Sequence, residues 1–273
     1  MGIISISREL AALGDETARE LAKQLGYRFV DKHTLEERIK SFGVDEEKLK
    51  KYDERKPSFI SALSQDRDDY LHYIKTAILA EAEQGNCVLI GRGVRSVLKN
   101  VPAHIGVFLT ASPEIRIERV KSYFHCDEIR AQQIIERSDH DRSGFHRYFF
   151  EINWKDPGNY HLALNTGTLS PMNCADIIRQ LTEWMFTPEA EAKSVVRLKE
   201  LILEQKIKQH ILYEKEIRIH FLEVAFTGNT ITLYGVTNSQ AMVETTLEAA
   251  REAAGTNTVQ SEMQIVHEYS LLP

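Results

Sequence analysis

Residues 3–26, IISISRELAALGDETARELAKQLG, decide the fold of the first half of the chain. Three isoleucines open the stretch as a short β-branched run, which is typical of a buried parallel strand. From Ala18 to Leu25, apolar residues recur at the i, i+3, i+4, i+7 spacing of a helix with one buried face. Strand, polar turn and helix thus follow in the order of a nucleotide-binding βα unit, whose helix start favours an anion.

The turn between this strand and helix leaves two interpretations open. A full Walker A loop reads GxxxxGK[ST], and this turn lacks the lysine and most of the glycines. The local sequence therefore fits either a phosphate-binding loop or an ordinary connection between a strand and a helix.

The composition predicts a globular protein with packed cores, since 42% of the 273 residues are hydrophobic. A net charge of -6 argues against a general nucleic-acid binder, which needs a clustered basic surface. The N-terminal residues do not resemble a signal peptide, so we expect a cytoplasmic protein. We also expect no transmembrane segment, because no apolar run approaches about 18 residues.

The cysteines and histidines do not indicate a metal site or a disulfide framework. Cys87, Cys126 and Cys174 are far apart and form no CxxC pair, so we interpret them as packing residues. The histidines at 125, 140, 146 and 161 show no metal-ligand spacing on one element.

Charged residues follow two of the predicted strands in the first half of the chain. Asp31 comes after a brief strand and either caps the next helix or faces a ligand. A second strand, residues 86–90, ends at Gly91, and Arg92 and Arg95 come directly after it. In open α/β sheets ligands bind at this carboxyl edge, and the alternative is that both arginines are solvated surface charges.

A basic region follows the third predicted strand, residues 104–110. Ser112 and Pro113 are a good helix start, and that helix carries Arg116 and Arg119. The next predicted helix, residues 127–150, could present Arg137, Arg142 and Arg147 to phosphates. The alternative is a solvated helix with ion pairs such as that between Asp139 and Arg142.

The remaining segments complete the expected organisation. Residues 43–68 are charged and predict short helices or an insertion, whereas residues 160–166 predict a fourth strand. Residues 187–192, TPEAEA, are the best candidate for a linker. Beyond it the order helix, strand, strand, helix, strand predicts a small two-layer α+β domain, with a hairpin turn at Gly228-Asn229.

The first part of the chain resembles the cytidylate kinase-like family of nucleoside monophosphate kinases. The matching segments are ISISREL, ELAKQLGYRFVDK, VLIGRGVRSVL, VFLTASPEIRIERV, SDHDR and WKDPGNYHLALNT, in the family's order. The resemblance implies an α/β fold, a P-loop kinase-like parallel sheet flanked by helices, over residues 1–188. It also implies a mobile lid and binding sites for ATP and a pyrimidine nucleoside monophosphate.

The resemblance also implies roles for individual residues. In the lid, the catalytic candidates are Arg137, Asp139 and Arg142. The nucleotide-binding candidates are Arg8, Gly14, Asp15, Glu16, Thr17, Arg116 and Arg119, and the acceptor-binding candidates are Asp31, Arg92 and Arg95. ATP and Mg²⁺ are the implied cofactors, and the metal would be held mostly by phosphates and water.

The loop departs from the family's glycine-rich SREFGSGG-like pattern, because Ala11, Ala12 and Leu13 precede Gly14. We expect these side chains to remove the loop's freedom to adopt positive φ and to weaken catalysis more than folding. The leading hypothesis is phosphoryl transfer from ATP to a CMP-like acceptor in a bacterial protein. The alternatives are a non-catalytic nucleotide sensor and, less favoured, an assembly protein with a collapsed pocket.

Residues 193–273 resemble a BON domain, a small αββαβ module, through the segment ITLYGVTNSQAMVETTLEAAREAAGTNTV. The resemblance implies a phospholipid or protein ligand. With 8 Lys and Arg against 10 Asp and Glu, these residues carry a net charge of 8 − 10 = −2. That charge does not favour an anionic membrane surface, so we expect a protein partner or self-association.

Overall fold

The computed structural model describes residues 1–44 and 66–266. The chain forms two compact units, Met1–Arg197 and Leu198–Pro273. The expected insertion at residues 43–68 lies largely outside the described residues. The expected domain bounds, 1–188 and 193–273, stay a prediction.

The first unit is built on one parallel sheet of five strands in the order β2-β3-β1-β4-β5. These strands are β1 (Ile3–Arg8), β2 (Arg28–Val30), β3 (Cys87–Ile90), β4 (His104–Thr110) and β5 (Leu162–Asn165). Central strand β1 pairs with β3 and β4, and Ile4 lies opposite Val88 and Ile105. The expected parallel sheet is therefore confirmed, and its carboxyl edge gathers the loops that follow each strand.

Eight helices begin within the described part of this unit. They are α1 (Gly14–Leu25), α2 (Lys32–Ser41), α3 (Asp66–Glu83), α4 (Val94–Val97), α5 (Pro113–Phe124), α6 (Glu128–Phe150), α7 (Pro171–Met185) and α8 (Pro188–Gln209). Asp127 and Ser170 accept hydrogen bonds from first-turn amides of α6 and α7, as capping residues do.

The two faces of the sheet differ in polarity. Ile4 and Ile6 pack on one face with Leu21 of α1 and Ile178 of α7, in a core cluster of buried residues. Side chains alternate along a strand, so Ser5 and Ser7 point to the other face, where both are buried. A polar layer therefore lies under the second face of the central strands.

The second unit has its own sheet and core. Its elements after α8 are a π-helical turn (His210–Glu214), β6 (His220–Thr227), β7 (Thr230–Thr237), α9 (Gln240–Ala254), β8 (Thr258–Ser261) and β9 (Gln264–Ile265). The hairpin turn at Gly228-Asn229 is confirmed, with Gly228 at φ 65. The expected last strand is divided into β8 and β9, both parallel to β7. Ile231 and Leu233 lie in the centre of the core.

The expected linker at residues 187–192 lies largely in a helix, because α8 begins at Pro188 and continues to Gln209, and its role as a domain boundary stays a prediction. Proline suits the first turn of a helix, and alanine and glutamate are good helix formers. The cysteines are free, and burial raises the pKa of the Cys87 thiol to about 12. Within residues 1–44 and 66–266, no helix is long and apolar enough to cross a membrane.

Candidate phosphate-loop site

The loop between β1 and α1 holds two residues in the left-handed region. Ala11 has φ 61 and Leu13 has φ 51, although neither is glycine. The expectation that alanine and leucine prevent positive φ here is therefore wrong. Each such residue costs roughly 1–2 kcal/mol, so other contacts must hold the loop in this shape.

Three arginines supply those contacts by donating to carbonyl oxygens of the loop. Arg116 Nε lies 2.8 Å from the Leu10 oxygen, and Arg119 Nη1 lies 2.9 Å from the Ala11 oxygen. Arg142 Nη1 donates to the Arg8 oxygen at 3.1 Å. In a trans peptide the carbonyl and the following N–H point in opposite directions, so these bonds turn the following amides away from the arginines.

The start of α1 leaves amides without acceptors. Among the described residues, no backbone or side-chain acceptor is found for the N–H groups of Gly14, Asp15 and Glu16. The amide and hydroxyl of Thr17 both bond to the Leu13 oxygen. A phosphate group therefore fits this helix start on the evidence of its unpaired donors.

Gly14, the first residue of α1, permits the side chain of Arg8 to approach the start of this helix closely. A Cβ added at Gly14 would lie 2.4 Å from Arg8 Cγ, so the stem of Arg8 packs directly on the glycine. The Arg8 guanidinium lies 3.7 Å from the Asp15 carboxylate. Asp15 and Glu16 are both exposed in the first turn, and they place negative charge where a Walker loop places its lysine.

A buried ion-pair network lies beside the loop. Arg116, 3% exposed, makes a bidentate pair with Asp139 at 2.7 and 3.0 Å and contacts Glu9 at 3.1 Å. Lys155 Nζ lies 2.8 Å from both Glu9 and Asp139. Although burial raises the pKa of Asp139, hydrogen bonds from Arg116 and Lys155 hold it below its ordinary value. The expected ion pair of Asp139 with Arg142 is thus replaced by this network.

Arg119 is hydrogen-bonded to neighbouring residues, whereas Arg137 is exposed. Arg119 bonds to the hydroxyl and carbonyl of Thr166 as well as to the loop. Arg137 is exposed on α6, and no hydrogen bond or ion pair is found for it within the described residues. Leu10 packs against the core cluster formed by Val120 of α5 and by Ala131 and Ile135 of α6.

The acceptor candidates do not form one cluster. Asp31 caps α2 by accepting from the Thr34 amide at 3.0 Å, so the capping interpretation is confirmed. Arg92 is 2% exposed and donates to Tyr70 and to Glu36. It is therefore a buried, paired residue, and the interpretation of Arg92 as a solvated charge is wrong. Arg95 extends away from the edge and lies against Gly106 in the middle of β4.

Aromatic side chains pack beside Arg92. Tyr70 packs against Phe145 and Phe149 of α6 with ring centroids 6.4 and 5.2 Å apart. Sequence reasoning missed Glu9, Lys155 and Tyr70. The only signal for Glu9 was its place directly after β1, and Lys155 lies within the matched segment WKDPGNYHLALNT.

A five-stranded parallel sheet of this order, with a helix starting after its central strand, defines a kinase-like α/β fold. The family model described as the cytidylate kinase-like family matches residues 3–168, more than half of the chain. The chain belongs to this family. A BON domain model matches residues 199–267, and the chain carries this domain after its kinase-like unit.

Similar solved structures were found, and the one with a TM-score above 0.5 supports the same fold for the first unit. An uncharacterized protein from Eubacterium ventriosum is 21% identical, with a TM-score of 0.53, and the match covers 67% of this chain and 99% of that one. Shikimate kinase from Bacteroides thetaiotaomicron is 15% identical (TM-score 0.41; 67% and 98% covered). A gluconokinase from Sinorhizobium meliloti is 17% identical (TM-score 0.40; 68% and 95% covered). No curated protein matches the chain.

Proposed function

We propose that this protein is a nucleoside monophosphate kinase-like phosphotransferase that moves the γ-phosphoryl group of ATP to a CMP-like acceptor. The observation that carries the proposal is the left-handed conformation of Ala11 and Leu13, held by arginine contacts to the loop carbonyls. Strain of this kind persists where the surrounding structure maintains it, and it clusters at ligand sites. The first-turn amides of α1 would then receive the phosphates.

The proposal assigns positioning and charge stabilisation to the chain's own residues. Arg8 and Arg142 lie at the loop, and Arg137 would join them if the lid closes on a bound nucleotide. Arg92 would have to exchange Glu36 for an acceptor phosphate. Phosphoryl transfer depends mainly on such positioning, and the proposed activity is weak because Asp15 and Glu16 oppose phosphate charge.

ATP fits the loop by its unpaired amides, and Mg²⁺ would supply charge neutralisation at the phosphates. In the part of the chain that the structure describes, no group of three His, Cys, Asp or Glu side chains could hold a metal by itself. The metal would therefore be held mostly by phosphate oxygens and water. The proposal also includes a cytoplasmic location, and a protein partner or self-association for the BON domain.

A coupled ADP-release assay with Mg-ATP and each common nucleoside monophosphate tests the activity. We expect turnover above the ATPase background with a pyrimidine monophosphate and a strong loss in Arg142→Gln. Arg130→Gln, an exposed change on the same helix, should retain the activity. Background-level turnover with every acceptor would contradict the transfer activity.

The second candidate function is a nucleotide sensor that signals through the BON domain. It is favoured because the expected site groups are already paired within the protein. Asp139 pairs with Arg116 and Lys155, and Arg92 pairs with Glu36. Calorimetry separates the two functions, because a sensor binds nucleotide saturably without turnover. If no nucleotide binds, both candidates fail.

A further inference from the structure

Arg95 is a half-buried cation for which the described residues provide no counterion. Its side chain lies flat on the second face of the sheet, where a Cβ added at Gly106 would be 2.2 Å from Arg95 Cδ and 2.5 Å from Nε. Nε is buried and has no hydrogen-bond partner, and residues 1–44 and 66–266 provide no ion pair or other hydrogen bond for this guanidinium. A buried hydrogen-bond donor without an acceptor costs free energy, especially on a charged group. A bound ligand that supplies an acceptor would lower that cost.

Among the described residues, the groups around Arg95 add donors but no negative charge. His161 Nδ1 accepts the Gly106 amide at 2.9 Å, which leaves the proton of the neutral ring on Nε2, and this side chain is exposed. His104 is buried with Nε2 2.7 Å from Ser5 Oγ, and its ring centroid lies 6.1 Å from that of His161. Tyr160, a neutral phenol at pH 7, is the other titratable neighbour.

The positive charge of Arg95 contributes to the pKa shifts of both neighbouring histidines. Burial and then the Arg95 charge lower the pKa of His161. Burial, Arg95 and His161 together lower the pKa of His104 well below its ordinary value. Both rings are therefore neutral at pH 7, and the only full charge of the group is that of the guanidinium.

We propose that Arg95 and His161 form a second anion site that takes a small oxyanion of the phosphate class. Guanidinium donors and the His161 Nε2–H match the oxygens of such a group. Gly106 precedes the end of β4 at Thr110 by four residues, so the site lies roughly 13 Å below the carboxyl edge. It is thus separate from the phosphate loop, and it does not depend on the function proposed for that loop.

Histidine-detected NMR on the full chain tests the site, with His161→Gln used to assign the ring signals. The pH titration of His161 is recorded in inorganic phosphate and in chloride at equal ionic strength. A bound phosphate should raise the pKa of His161 by about one unit, because the adjacent anion stabilises the imidazolium. Acetate serves as a carboxylate probe: a response to phosphate alone supports a phosphate site, whereas an equal response to acetate contradicts the phosphate class.

Variants identify the guanidinium as the cause. Arg95→Gln should raise the pKa of His161 in chloride, since the repelling charge is lost, and should abolish the response to phosphate. Arg130→Gln should leave both unchanged, and Arg95→Lys should retain a weaker response if Arg95→Gln does not fold. An unchanged His161 titration in phosphate overturns the proposal, as does a phosphate response that survives in Arg95→Gln.

Discussion

At the scale of single residues, the phosphate loop shows how a chain can keep a glycine conformation without glycine. Ala11 and Leu13 adopt positive φ, while Arg116 and Arg119 bind the carbonyl oxygens that this conformation exposes. The charge-assisted hydrogen bonds oppose a cost of about 1–2 kcal/mol for each left-handed residue. The loop is therefore strained, and hydrogen bonds from arginines of α5 hold it in this conformation.

This strain predicts that Ala11→Gly stabilises the protein by roughly 0.5–1 kcal/mol. Relief of the left-handed strain should exceed the entropy that glycine adds to the unfolded chain. Ala12 is the matched control, since it is fully buried and has no positive φ. Ala12→Gly should destabilise by about 1 kcal/mol or more. Urea unfolding of both variants measures the difference, and destabilisation by Ala11→Gly would contradict a strained Ala11.

The charge of the helix start gives a second prediction. Asp15→Lys replaces a carboxylate beside the unpaired amides with an ammonium group, which should strengthen ATP binding roughly 10- to 100-fold. The increase should diminish with salt, because Asp15 is exposed. Glu83→Lys makes the same charge change at an exposed position at the end of α3 and should have little effect. Equal ATP affinities of Asp15→Lys and wild type by calorimetry would argue against phosphates at this helix start.

At the scale of elements, the ion-pair network joins α5 and α6 to the loop. Arg116 comes from α5, Asp139 from α6 and Glu9 from the residue after β1. Lys155 closes the network from the segment after α6. Because Arg116 is 3% exposed, its charge depends on these carboxylates for compensation, and removal of one leaves a poorly paired buried cation.

Asp139→Asn should therefore lower the free energy of unfolding by about 3 kcal/mol near neutral pH. The pKa of Asp139 is below its ordinary value in the folded state, so its contribution is present above the unfolded pKa of about 3.9 and is lost as pH falls through the folded pKa. The difference between wild type and variant should be constant above about pH 5 and decrease below about pH 4.

Urea titrations at several pH values measure that difference. Asp141→Asn is the control on the same helix, since no hydrogen bond or ion pair is found for Asp141 within the described residues. It should change stability by less than about 0.5 kcal/mol. A difference for Asp139→Asn that stays the same down to pH 2 would show that the carboxylate charge does not hold the network.

At the scale of the whole molecule, the features that the sequence predicts are those set by residues that are close together along the chain. The apolar runs of β1, β3 and β4 and the periodic face of α1 identify the parallel sheet, because burial imposes these patterns locally. The Arg116–Asp139 pair and the contact of Arg95 with Gly106 join distant segments. No local pattern encodes such pairings, so the candidate site residues could be assigned only by their position in the family, and their actual partners could not be predicted.

The two separate cores also predict that the titration of His210 changes the stability of the second unit alone. In the second unit, His210 of the π-helical turn lies 2.6 Å from Glu214 and 3.1 Å from Glu252. Lys215 lies 2.6 Å from Glu252 on the same side. Hydrogen bonds to the two glutamates raise the pKa of His210. Their contribution to stability is complete below the unfolded pKa of about 6.5 and is lost as pH rises through the folded pKa.

His210→Gln should thus lower the stability of the second unit at pH 6 and have a smaller effect at pH 9. Both tryptophans of the chain, Trp154 and Trp184, belong to the first unit, so their fluorescence reports only that unit. Far-UV circular dichroism reports both units. We expect the variant to shift part of the dichroism transition in urea at pH 6 while the fluorescence transition stays in place. A fluorescence transition that moves together with the dichroism would mean that the two cores unfold as one cooperative unit.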